Sequence, residues 1–278
     1  MKKILCVSDL HCGSNVSIMP KKIKEELQNG EVVIHKANKV QKILHKHWIE
    51  MVKKVGKVDA VFNLGDNVDG SNWKNMSLGL WTPSVVLQAR AAADLLSEIN
   101  CEEHYMVHGS KYHVGGNVHS EEYTAMLLEN IYGIDVTHGK ELLVDLGDKK
   151  HEHKAHLLHK IGVSRSNWNY RPTAISRELA LAPYNKKELG NVQVVIRGHA
   201  HYSVMVRFPT LLGFVVPSWK LRDDFIADLG LSGVPRLGWD LMEVYTPEDD
   251  GVEKVQVNVT IHEVEDKKIK YMKECKIE

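Results

Sequence analysis

The chain has little that would tie it to a membrane, an oxidising compartment or a polyanion. Thirty-six Lys and Arg balance 36 Asp and Glu over 278 residues, so the formal net charge is zero. The absence of a global basic field argues against a nucleic-acid binder, though it leaves room for a local basic groove. Cysteine is scarce: Cys6, Cys12, Cys101 and Cys275, with no Cys-x-x-Cys and no dense framework. That argues against a disulfide scaffold and fits reduced thiols in a cytoplasmic protein. No apolar run approaches the roughly 20 residues that span a bilayer. The run Ile4-Leu5-Cys6-Val7 is too short for a secretory leader and ends at Asp9. A soluble, cytoplasmic protein without membrane attachment is expected. No repeat, low-complexity tract or linker divides the chain, so one domain over 1–278 is expected.

What is present alternates between two periodicities. Buried-type strands are expected over 3–8, 58–64 and 103–108, followed by strands at 142–146, 156–161, 192–196, 203–207 and 212–216. Helices are expected over 34–55, from Pro83-Ser84 onward, over 120–131 and over 172–182, the last stopped by Pro183. Residues 13–33 read as a polar loop or irregular insertion. The alternation in 241–245 and 255–264 reads as an antiparallel hairpin with Asp249-Asp250-Gly251 in its turn. Strand–helix alternation followed by strands implies α+β architecture with mixed sheets and helices outside.

Sixteen histidines are many for this length. Three short segments combine His or Asp with the end of an apolar run: Ser8-Asp9-Leu10-His11, Gly65-Asp66-Asn67-Val68-Asp69-Gly70 and Gly198-His199-Ala200-His201. Carboxyl ends of strands are where α/β sheets build sites. Asp oxygen with His nitrogen suits divalent transition metals, and a shared carboxylate can bridge two ions. The i, i+2 spacing of Asp9 and His11 points both side chains to one side if the strand end is extended. Each segment alone is an ordinary turn; their joint occurrence is the signal.

Asp-x-His, Gly-Asp-x-x-Asp and Gly-His-x-His together resemble the signature of the calcineurin-like metallophosphoesterases. The resemblance implies a four-layer α/β/β/α sandwich of two mixed sheets with outer helices. It also implies hydrolysis of phosphate esters by two divalent ions that share a hydroxide. Asp9, His11 and His201 would serve the first ion, His199 the second, and Asp66 would bridge. A further histidine is supplied after a strand; His159 fits best and His156 competes. The family's Gly-Asn-His is absent. In its place stands Val107-His108-Gly109-Ser110-Lys111-Tyr112-His113-Val114-Gly115, similar to phage-type metallophosphatases with Gly-Thr/Ser-x-x-His. His113 is then the acid or a ligand, with Asp69 orienting a nearby histidine and His108 structural. Ser110 is a poorer ligand than an amide. Mn²⁺ is the expected ion, with Fe or Zn²⁺ as alternatives.

The expected function is a metal-dependent phosphodiesterase acting on a phosphate ester, with nucleotides or nucleic acid as candidate substrates. The alternatives are a phosphomonoesterase and a catalytically impaired scaffold on the same fold. A metal hydrolase of another ester class fits less well, because such sites open with a His-rich motif. Trp168-Asn169-Tyr170-Arg171 could stack on a base and take a phosphate, or simply pack on the sheet. His151-Glu152-His153 reads as a solvated turn, Lys21, Lys22, Lys24, Lys186 and Lys187 as surface. Pro217-Ser218-Trp219-Lys220 reads as a pocket rim or a buried corner. Oligomeric state is open.

Overall fold

In the computed structural model, residues 1–72, 76–114, 120–162, 170–223, 235–266 and 268–269 are described. The strands are β1 (Lys2–Val7), β2 (Lys22–Glu26), β3 (Val32–Lys36), β4 (Ala60–Asn63), β5 (Glu103–Val107), β6 (Asp135–Gly139), β7 (Glu141–Asp145), β8 (Lys154–Leu158), β9 (Val192–Arg197), β10 (Val204–Arg207), β11 (Leu212–Val215), β12 (Gly238–Tyr245) and β13 (Gln256–Glu263). The principal helices are α1 (Lys39–Val55), α2 (Val85–Leu96), α3 (Lys111–Val114), α4 (Ser120–Leu127) and α5 (Arg171–Leu181). One sheet has the order β13-β12-β1-β4-β5-β6, a second β10-β11-β9-β8-β7, and β2-β3 form a separate hairpin. Both large sheets mix parallel and antiparallel pairs.

Side-chain alternation fixes the layers. On β1, Ile4 and Cys6 join Phe62, Leu157, Ile196, Phe214 and Met242 in a core between the sheets. Leu5 and Val7 face the opposite way, onto Trp48, Met51, Ala92 and Leu95 of α1 and α2. The outer face of the second sheet is covered by Ile175 and Leu179 of α5. The result is the expected sandwich: helix, sheet, sheet, helix. Among the described residues, no helix is long and apolar enough to cross a membrane.

Local chemistry explains the boundaries that differ from expectation. The helix expected from residue 34 begins at Lys39. Ile34 belongs to β3, and Asn38 caps the helix through reciprocal 2.9 Å bonds with Gln41. Its buried stripe of Leu44, Trp48, Met51 and Val55 then follows the helical period. The segment 13–33 is not wholly irregular, because it holds β2 and the first residues of the hairpin partner β3. The helix expected over 120–131 is α-helical only to Leu127 and passes into a π-turn over Leu128–Tyr132 that ends at Gly133 with φ 67°. β6 was not foreseen at all. The strand expected over 156–161 ends at Leu158, which puts His159 just beyond it.

Candidate metal centre

β1, β4 and β5 are parallel in one sheet, and β8 and β9 in the other. The loops that follow them meet at one end of the sandwich and are joined by backbone bonds. Asp9 N donates to Gly65 O (2.9 Å), His11 N to Asp66 O (2.9 Å), Gly198 N to His159 O (3.0 Å) and Trp219 N to Asp9 O (3.0 Å). The extended geometry expected for Asp9 and His11 is not what forms. Asp9, His11, Asp66, His199 and His201 all adopt left-handed backbones, with φ of 54°, 47°, 53°, 68° and 52°. Such a conformation costs a non-glycine residue about 1–2 kcal/mol. It persists here because the loop-to-loop bonds hold it, as is common where a site is built.

These turns gather two triads, in each of which the ligand-type atoms lie within 4.8 Å of one another: Asp9–His11–His201 and Asp66–His159–His199. In the first, Asp9 Oδ1 is 3.2 Å from His201 Nε2 and 3.6 Å from His11 Nε2, and the two imidazole Nε2 atoms are 3.1 Å apart. In the second, Asp66 Oδ2 is 3.0 Å from His159 Nε2, and the His159 and His199 rings meet edge-on at 5.1 Å. A third grouping, His11–Asp69–His113, shares His11 with the first.

A surrounding layer fixes each group. Ser8 Oγ and the His199 amide (2.9 Å) donate to Asp9 Oδ2. His159 Nδ1–H donates to Leu64 O at 2.6 Å, leaving Nε2 to face Asp66. Ser110 donates to Asp66 through its amide (2.7 Å) and its hydroxyl (3.2 Å). Gly109 must be glycine: a Cβ there would fall on Asp66 Oδ1. His113 Nδ1 donates to the Asp69 carbonyl at 2.8 Å, and Asp69 Oδ1 lies 3.0 Å from His11 Nδ1.

The electrostatics describe a site that wants cations. Burial pushes the carboxyls of Asp9, Asp66 and Asp69 upward, but neighbouring His and Lys charges outweigh it and hold all three well below the ordinary range. Burial would keep His11 and His159 neutral, yet the carboxylates beside them raise His11 to about 9 and His159 to about 10. Burial prevails at His113, which falls to about 4. Asp9 Oδ1, His11 Nδ1 and His159 Nε2 are buried and close to opposite charge, but no aligned hydrogen bond reaches them. Two groupings of two imidazoles and one carboxylate, with ligand-type atoms this close together, are the donor sets that divalent transition ions take.

All eight residues singled out in the sequence (Asp9, His11, Asp66, Asp69, His113, His159, His199 and His201) meet here. His156 does not: its Nδ1 contacts Arg197 (3.1 Å) and its Nε2 faces Glu141 (3.4 Å). Trp168 and Asn169 lie outside the described residues, Tyr170 is exposed, and the Arg171 guanidinium sits 4.9 Å over the Tyr202 ring. His151 pairs with Asp148 on the surface. The residue that sequence reasoning undervalued is Lys220, buried with Nζ 2.8 Å from Asp69 Oδ1 and 2.7 Å from Asp223 Oδ2. Glu121, equally unforeseen, is buried behind the Asp66 turn, accepts from Asn67 N (3.4 Å), and is raised by burial to about 7.

The sequence profile described as calcineurin-like phosphoesterase matches residues 2–203, well over half of the chain. The chain belongs to that family. Calcineurin-like phosphoesterases are metal-dependent, and the Asp and His groups above could hold the ions. No curated protein matches the chain. Among solved structures, an archaeal phosphodiesterase is 14% identical, with 94% of this chain and 99% of that chain covered and a TM-score of 0.41. Vps29 from Entamoeba histolytica, complexed with zinc, is 13% identical with 93% and 98% covered and a TM-score of 0.39. Vps29 from Chaetomium thermophilum is 13% identical, with 95% and 97% covered and a TM-score of 0.41.

Proposed function

We propose that this calcineurin-like phosphoesterase is a two-metal phosphodiesterase, formed as one domain over 1–278 and working in the cytoplasm with Mn²⁺. The observation that carries the reading is the pair of His₂–carboxylate triads, each with two buried members and one half-buried histidine, at the facing strand ends of the two sheets. Asp9, His11 and His201 would hold one ion, and His159 and His199 the other, with Asp66 between them. Ions so held supply Lewis acidity toward the phosphoryl oxygens and make a nucleophile available from water near neutral pH.

The chain's own groups do the rest. Asp69, kept anionic chiefly by Lys220, orients His11 through Nδ1. Ser110 and Gly109 fix the position of Asp66. His113 handles the leaving-group proton. Its Nδ1–H is committed to the Asp69 carbonyl, so Nε2 is the nitrogen that gains and gives the proton. Burial keeps the ring neutral in the free protein. An anionic phosphate bound beside it shifts the ring toward the imidazolium, the form that can give a proton to the leaving group.

The test is turnover of a bis-nitrophenyl phosphodiester and a nitrophenyl phosphomonoester by metal-stripped protein resupplied with Mn²⁺. Preferential cleavage of the diester supports the reading. Preferential cleavage of the monoester favours a phosphomonoesterase, and no turnover with either together with no retained metal favours a scaffold.

A further inference from the structure

A second cluster of metal-ligating groups stands apart from both triads. His108 follows β5, His138 lies on the neighbouring β6, and Glu122 is in the first turn of α4. One ligand-type atom from each comes within 4.8 Å of the others. His108 Nε2 is 3.3 Å from His138 Nδ1 and 4.0 Å from Glu122 Oε1. Two imidazole nitrogens on a tetrahedral zinc ion, each about 2.05 Å from it, stand about 3.3 Å apart. The observed His108–His138 separation therefore matches a tetrahedral edge. The exposed Glu122 side chain has the rotational freedom to close the remaining gap. Two imidazoles and one carboxylate form a three-ligand donor set that water completes, and it favours Zn²⁺ over Mg²⁺ or Ca²⁺.

The backbone gives such an ion something to hold. The His108 amide donates to Gly139 O at 2.8 Å, so the first ligand is fixed to the strand that carries the second. Glu122 adds α4. The residues directly after His108 are Gly109 and Ser110, which pack on and donate to Asp66.

We propose that His108, His138 and Glu122 form a peripheral zinc site that clamps the ends of β5 and β6 to α4 and steadies the loop supporting Asp66. The site does not depend on whether the two triads hold ions, because His138 and Glu122 belong to neither.

The test counts zinc. Full-length protein, stripped and then equilibrated with Zn²⁺ under a weak competing chelator, is compared with His138→Ala, Glu122→Gln and, as a surface control, His151→Ala. His138→Ala is expected to bind one zinc fewer per chain than wild type, and His151→Ala the same number. Glu122→Gln is expected to hold the peripheral zinc at least tenfold more weakly, and it serves in place of His138→Ala should that variant fold poorly. Zinc is also expected to raise the melting temperature of wild type by more than that of His138→Ala. Turnover with Mn²⁺ should stay within about twofold in both variants. An unchanged zinc count in His138→Ala and Glu122→Gln overturns the proposal and leaves a simple imidazole pair on the surface.

Discussion

Lys220 Nζ donates to Asp69 Oδ1 at 2.8 Å, across 151 residues of sequence and in the buried wall of the metal centre. The same oxygen faces His11 Nδ1 at 3.0 Å. Removing the ammonium would leave two carboxylates, Asp69 and Asp223, without their shared cation. Breaking a buried pair from one side costs about 3–5 kcal/mol. Lys220→Met is therefore expected to lower stability by a few kcal/mol in denaturant titration. The double variant Lys220→Met/Asp69→Asn should recover part of the loss, a non-additivity that a double-mutant cycle reads directly.

Gly109 sits against Asp66 with no room for a methyl group. Gly109→Ala is expected to move Asp66 and to lower diester turnover about a hundredfold, the scale set by small displacements of positioned groups. Because Gly109 is on a loop, melting temperature should change much less than kcat.

His11 and His159 carry protons in the metal-free protein up to about pH 9 and pH 10 respectively. Ion binding needs both nitrogens deprotonated, so uptake must release protons. Metal affinity is expected to fall as pH drops below 9, by up to about a hundredfold per pH unit where two protons are displaced. Titration calorimetry in buffers of different ionisation enthalpy measures the proton count. A count of zero would show that both histidines are already neutral in the metal-free protein.

His104, in β5, is buried, and among the described residues neither ring nitrogen has a hydrogen-bond partner. Burial lowers it from 6.5 to about 4. The unfolded chain then binds the proton more readily than the folded one. The stability this group contributes is complete above pH 6.5 and is lost as pH falls from 6.5 toward 4. The full difference corresponds to about 3 kcal/mol. In metal-stripped protein, His104→Leu is expected to lose less stability between pH 7 and pH 4.5 than wild type. Titrations common to the two proteins cancel in the comparison.

The candidate site was largely legible in the sequence because most of its parts are local. Asp9 and His11, Asp66 and Asp69, and His199 and His201 each lie a few residues apart at the end of an apolar run. Lys220 was not legible, because the carboxylate that explains it is 151 residues away. The left-handed backbones at Asp9 and His201 were hidden for a different reason. Asp and His tolerate a positive φ better than most residues, but which of them adopts it is decided by neighbouring loops through bonds such as Trp219 N to Asp9 O. Mixed sheets with outer helices followed from periodicity and the four-layer arrangement from the family resemblance, but the hairpin of β2 and β3 followed from neither. Its strands alternate charge with half-exposed apolar residues and bury little, so Ile23 is its one core contribution among the described residues. β6 was missed because Asp135-Val136-Thr137-His138-Gly139 has one buried apolar side chain, Val136, and acquires strand form from its neighbour β5.

The most direct test of the two-metal reading is Asp66→Asn, assayed for bound Mn²⁺ and for bis-nitrophenyl phosphate turnover beside wild type. Asp66 is the carboxylate of the second triad, and in the proposed centre it also bridges to the first. The expected result is two tightly held ions and turnover for wild type, with Asp66→Asn losing at least one ion and nearly all activity while keeping its fold. An Asp66→Asn protein that cleaves the diester at the wild-type rate, with the same metal content, would contradict it.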